Sequence, residues 1–428
     1  MKISVSPSPS QSLPGSDDIT RAVLDNGIVV LARANFNSPS VYLSGYSSAG
    51  SLFDPNEKLG LASFTASALM RGTQKRDFQE IYYALESVAA HLGFSTSVHS
   101  SGFSGRALAE DLPLLLDLLS DALREPLFPE TQVERLRAQI LTGLAIRAQD
   151  TSEMAGLVFD ELLYADHPYA RPEDGFPETI QNITVNDLIL FHRTHYGPRG
   201  MVIAIVGAVE PQQAVEQVTQ VLGGWQNPSQ PEPPPLPPFS PPDKPRRRHH
   251  AIPGKSQVDI DMGGSGPMRR DPDYLAAALG NSILGQFGLM GRIGDIVRER
   301  SGLAYYAYSS LNAGLGPGTW DVCAGVNPSN LEKAVDLIRG ELTRFVTEGV
   351  TEQELADSQA NFIGRLPLSL ESNAGVASAL LNIERYDLGL DYYREYAGLV
   401  QAVTPEDVLA VARKFIDPER LVIATAGP

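Results

Sequence analysis

Residues 181–207 and 401–427 are two versions of one 27-residue stretch, and this constrains the fold more than any other feature of the chain. The first reads QNITVNDLILFHRTHYGPRGMVIAIVG and the second QAVTPEDVLAVARKFIDPERLVIATAG. Thr184 and Thr404 stand 220 positions apart, as do Asp187 and Asp407, Arg193 and Arg413, Pro198 and Pro418, Val202 and Val422, and Gly207 and Gly427. Each copy begins with a Thr-x-x-Asp cap, continues as a helix, breaks at a proline and ends in an apolar run suited to a buried strand. A weaker echo lies upstream, where Leu112, Asp117, Leu118 and Leu123 match Leu331, Asp336, Leu337 and Leu342 at an offset of 219. Two copies do not make a solenoid; they make a tandem of homologous halves.

The segment between the halves is dense in proline. Residues 226–250 read QNPSQPEPPPLPPFSPPDKPRRRHH, which cannot form a helix or a central strand and is expected to be an extended linker. The Arg246–His250 cluster is read as its solvated end. Residues 1–18 are rich in Ser and Pro and are expected to form a flexible arm. The predicted domains are therefore 19–225 and 251–428. Within each, strand signals such as Val-Leu-Asp25-Asn26-Gly27-Ile-Val-Val mix with helical periods over 111–124, 129–149 and 151–164. Asp77 and Glu80 form a capping box for a helix expected to end at Gly93. The mixture lacks strict strand–helix alternation, so the fold class is α+β.

The net charge of −17 argues against nucleic acid and anionic membrane surfaces as partners. No apolar run approaches the ~18 residues of a membrane span, and the N-terminus lacks an apolar leader core; a cytoplasmic protein is the expectation. Cys323 is the single cysteine, which rules out an intrachain disulfide, and its apolar neighbours read as those of a small buried hydrophobe. His192 and His195 share a helix face at i, i+3, but no carboxylate follows at ligand spacing, so surface or capping roles are expected.

Residues 60–73, GLASFTASALMRGT, resemble the zinc-site helix of the pitrilysin/insulinase peptidases, whose relatives include mitochondrial processing peptidase. The segments LDNGIVVLA, AGSLFDPNEKLGLASF, HPYARPEDG and RERSGLAYYAYSS support the resemblance in the correct order, over about residues 20–428. It implies two homologous α+β halves, each a largely antiparallel sheet covered by helices. In that family two histidines at i and i+4 bind zinc and a glutamate between them is the general base. Here Ser63 and Ser67 stand at the histidine positions and Ala66 at the glutamate position. The third ligand, a glutamate about 75 residues on, falls near Gly143, and no acid lies between Glu134 and Asp150. The resemblance thus implies a degenerate zinc site and no metal cofactor bound by this chain.

A second pattern survives. Arg298, Glu299, Gly302, Leu303 and Tyr305 match the Arg-Glu-x-x-Gly-Leu-x-Tyr motif that the zinc-less subunit of split family members supplies. The resemblance implies that Arg298 ends a helix, Gly302 turns the chain and Tyr305 lies early on the following strand, with Tyr306 and Tyr308 on the opposite strand face. It further implies a subunit that is inactive alone, pairs as a heterodimer with a homologous zinc-bearing peptidase subunit, binds peptide substrate and lends Arg298 and Tyr305 in trans. An assembly scaffold like the core subunits of respiratory complexes, or a peptide-binding protein without turnover, stays open as an alternative.

Overall fold

The computed structural model describes residues 13–428. Most of the expected N-terminal arm lies outside the described residues. Residues 13–18 are tied down: the Ser16 amide donates to Asp391 Oδ1 at 2.9 Å, and Asp17 pairs with Arg394.

The chain forms two compact units that interleave along the sequence. One comprises residues up to Gly143, Pro172–Pro235 and Leu366–Glu395; the other comprises Leu144–Arg171, Leu236–Arg365 and Tyr396–Pro428. The first unit holds strands β1 (Thr20–Val23), β2 (Val29–Ala34), β3 (Ser40–Ser47), β4 (His91–Thr96), β5 (Ser101–Leu108) and β6 (Val202–Gly207), in the order β1-β2-β6-β3-β5-β4. The second holds β7 (Arg246–Ala251), β8 (Val258–Gly266), β9 (Ala304–Asn312), β10 (Gly318–Val326) and β11 (Val422–Gly427), in the order β7-β11-β8-β10-β9.

The two sheets share one plan. β6 runs parallel to β2 and antiparallel to β3; β11 runs parallel to β7 and antiparallel to β8. The remaining pairs are antiparallel. The duplicated stretch thus ends, in each unit, in an interior strand that has one parallel and one antiparallel neighbour. Every residue of β6 and β11 is buried, which is why both copies are apolar but for Thr425. The Thr184/Asp187 and Thr404/Asp407 capping boxes both form.

Each sheet is covered on both faces. Val202, Ala204 and Val206 of β6 pack against Val376, Ala377, Leu380 and Ile383 of the helix Asn373–Tyr386. Val422 and Ala424 of β11 pack against Val158, Phe159 and Leu163 of the helix Thr151–Tyr164. The opposite face of the second sheet buries Trp320, Val322 and Ala324 against Leu279, Phe345 and Val408 of its other helices. Burying a side chain such as Phe345 contributes about 2–3 kcal/mol.

Two local expectations change. Arg246–Ala251, read as the end of the linker, is edge strand β7: its backbone gains a parallel ladder with β11, while Arg247 and Arg248 find Glu332 and Glu161. The helix capped by Asp77 ends at Glu86, not Gly93. Ala89 adopts φ +52°, the Ala90 amide closes on the Leu85 carbonyl at 2.9 Å, and Gly93 falls within β4. Among the described residues no helix is long and apolar enough to cross a membrane.

Candidate functional site

The degenerate zinc frame is the helix Leu61–Ala68 in the first unit. Its start is built by Asp54, a buried carboxylate that accepts from the Gly60 and Ala62 amides at 2.9 Å each. These bonds satisfy helix-end donors that would otherwise be orphaned. Gly60 sits at φ +92°, and a Cβ there would lie 2.6 Å from Ile180 Cδ1 and 2.8 Å from the Asp174 carbonyl. Leu61, Ala62 and Phe64 are core residues, and Phe64 carries the Arg137 guanidinium 5.2 Å above its ring. Thr73, buried, donates to Asp121 Oδ2 at 3.1 Å. The surviving frame residues are therefore accounted for by packing, which persists without any metal.

The ligand positions do not fit zinc. Ser63 Oγ donates to Asp174 Oδ1 at 3.0 Å, Ser67 is exposed, and Ala66 is a methyl at 1 % exposure. Gly143 is exposed, with no atom within 4 Å of where its Cβ would stand. Two neutral hydroxyls, a methyl and a bare backbone offer neither three ligands nor a base. Sequence reading did not find Asp174 as the partner of Ser63. Its neighbour Glu173 has its carboxyl raised above the usual range by burial and by Asp174.

The Arg/Tyr pair lies in the second unit. The segment Phe287–Gly294, kinked by non-helical backbone at Gly288–Gly291, leads into a wide helical turn, Asp295–Glu299, which carries Arg298. Gly302 adopts φ +61°, its amide closes on the Arg298 carbonyl at 2.9 Å, and the Leu303 amide closes on the Val297 carbonyl at 3.1 Å. This left-handed turn delivers the chain into β9, the sheet edge. Tyr305 is 84 % exposed at the start of β9, whereas Tyr306 bonds Asp259. Arg298 keeps part of its surface open, and its nearest acid is Glu299 at 3.5 Å. Upstream, Arg292 anchors the turn by donating twice to Glu354, at 2.7 and 2.6 Å, and to the Gly349 carbonyl at 3.0 Å.

His192 is a core residue and His195 is half-buried, rather than both lying at the surface. His192 is buried, bonded to the Leu123 carbonyl at 2.9 Å and stacked on Tyr196. His195 lies between Phe53 and Phe191, with ring centroids 4.2 and 4.6 Å away, and burial pushes it down to about 4. Cys323 is half-buried on a polar sheet face rather than in the apolar core.

Two helix-covered mixed sheets of one shared plan, with a peptidase frame emptied of ligands, define a two-domain peptidase-type fold. Residues 29–167 match the family described as insulinase (peptidase family M16), and residues 182–362 match the peptidase M16 inactive domain. The chain belongs to the M16 peptidase family. It is 26 % identical to an uncharacterized zinc protease of Streptomyces coelicolor over 97 % of this chain and 90 % of that protein. It is 24 % identical to the beta subunit of the mitochondrial-processing peptidase of Neurospora crassa, over 94 % of this chain and 87 % of that protein. The crystal structure of a peptidase M16 inactive domain from Pseudomonas fluorescens superposes with a TM-score of 0.87 at 28 % identity, covering 96 % of this chain and 98 % of that one.

Proposed function

We propose that this chain is the non-zinc subunit of a heteromeric M16 peptidase, which binds peptide and presents Arg298 and Tyr305 to substrate held at the zinc site of a homologous partner. The observation that carries the reading is Tyr305, an aromatic residue at 84 % exposure on an edge strand, with its turn fixed by Gly302. A phenol kept in solvent has no packing role, and it is suited to donate a hydrogen bond to a carbonyl oxygen as negative charge builds there. Arg298, permanently charged, is suited to hold a substrate carbonyl or carboxylate in its fork. The edges of β4 and β9 offer free backbone to an extended peptide. The Ser63 frame contributes no catalytic metal; that chemistry comes with the partner.

The test mixes the purified chain with a homologous subunit that carries His-x-x-Glu-His and follows peptide cleavage. The chain alone should be inactive and the mixture active. Tyr305→Phe should remove the hydroxyl donor without disturbing assembly, lowering kcat by about 10²–10³. Stimulated activity that is indifferent to both Tyr305→Phe and Arg298→Ala would turn the reading to an assembly scaffold.

A further inference from the structure

Strands β8 and β10 alternate apolar and polar residues. Trp320, Val322 and Ala324 enter the core, so Thr319, Asp321 and Cys323 share the opposite face. Cys323 stands directly across from Asp261 on β8. The thiol of Cys323 and one carboxylate oxygen each of Asp261 and Asp321 lie within 4.8 Å of one another.

We propose that this face holds a divalent transition-metal cation of the zinc class, with Cys323 Sγ, Asp261 and Asp321 as ligands. Asp261 Oδ1 is withdrawn from solvent and has no hydrogen-bond partner, and among the described residues neither Asp261 nor Asp321 forms an ion pair. An unpaired buried carboxylate is costly, and two together are resolved either by a cation or by a shared proton. The spacing admits the cation. Cys323 Sγ, which as a thiol donates to Asp321 Oδ2, lies 3.5 Å from it. Zn–S of about 2.3 Å and Zn–O of about 2.0–2.2 Å at a tetrahedral angle place sulfur and oxygen about 3.5 Å apart.

An outer shell is also built. Thr319 Oγ1 donates to Asp321 Oδ1 at 2.7 Å, and Asn312 donates to Thr319 at 2.9 Å, which leaves Oδ2 turned toward the thiol. A thiolate with two carboxylates suits a borderline-soft ion better than magnesium or calcium. An entry path exists: a cavity of about 280 Å³, lined by Ser152, Glu153, Gly156 and Asp160 of the helix Thr151–Tyr164, opens onto Asp261 and Cys323. Its acids draw cations inward. This site departs from the sequence reading, which expected no metal bound by this chain.

The test uses the full chain, stripped by a chelator and titrated with Co(II). Because Cys323 is the only cysteine, a thiolate-to-cobalt charge-transfer band reports this site and no other. One equivalent of Co(II), displaced by Zn(II), is expected to develop the band. Cys323→Ser should abolish it, Asp261→Asn should weaken binding at least ~10-fold, and Thr319→Val should weaken it ~10–100-fold with the fold intact by circular dichroism. No band in the native chain, or an affinity unchanged by both Asp261→Asn and Thr319→Val, would overturn the proposal in favour of a shared proton. No partner or peptide is present, so the outcome is independent of the Arg298/Tyr305 reading.

Discussion

Arg292→Met should destabilise the second unit by roughly 3–4 kcal/mol and loosen the turn that carries Arg298. The substitution keeps the apolar stem and deletes the guanidinium. Burial raises the Glu354 carboxyl, but hydrogen bonds from Arg292 and Thr351 and the Arg292 charge outweigh it and hold the group at about 2. Against an ordinary 4.5, at ~1.4 kcal/mol per pH unit, the full gap is worth ~3 kcal/mol. Glu354 retains much of its solvent contact, so roughly half of that survives screening. The rest comes from Glu341, a carboxylate at 1 % exposure. It loses the cation 3.7 Å away and keeps only Arg344 at 2.6 Å. For a domain of this size the loss lowers Tm by roughly 6–16 °C. Urea unfolding followed by circular dichroism, with calorimetry for Tm, measures it. The pH dependence supplies an internal control. The folded carboxyl is depressed, so its contribution is complete above pH ~4.5 and is lost as pH falls through about 2; native protein should weaken over that window and Arg292→Met should weaken less. A cost below ~1 kcal/mol, or identical acid profiles for the two proteins, would refute the reasoning.

His195 gives a second acid dependence at higher pH. Its folded value of about 4 lies below the unfolded 6.5, so its contribution is complete above pH ~6.5 and is lost as pH falls toward about 4; urea midpoints should fall by an equivalent of ~2 kcal/mol, and His195→Phe, between Phe53 and Phe191, should flatten that slope. Rebuilding the zinc frame by Ser63→His, Ala66→Glu and Ser67→His should yield no bound zinc in a Cys323→Ser background unless Gly143→Glu is added, as metal analysis would show. The Ala66→Glu component should itself cost ~3 kcal/mol by thermal melt, because it buries a carboxylate where only a methyl now fits.

Much of the candidate site was legible in the chain. Ligand loss at Ser63, Ala66 and Ser67 is a matter of side-chain chemistry and needs no coordinates. The turn at Gly302 and the strand start at Tyr305 are local events that dihedral preference dictates. The environments of His192, His195 and Cys323 were not legible. A histidine on an amphipathic helix reads the same whether its face meets water or Phe53, and a cysteine in a strand shows its face only once the partner strands are known.

The sequence by itself determined that there are two homologous halves, that each contains a capped helix followed by a buried strand, and that the peptidase frame is empty of ligands. Period, capping and residue chemistry act over a few positions, so they survive in one dimension. Tertiary structure alone decided that β6 and β11 insert between a parallel and an antiparallel neighbour in their sheets, and that the helix Thr151–Tyr164 covers the second sheet while Asn373–Tyr386 covers the first. It alone brought Asp261, Asp321 and Cys323 within 4.8 Å. These choices join residues more than fifty positions apart. They are set by which apolar faces bury one another best, a quantity that belongs to the packed chain and to no segment of it.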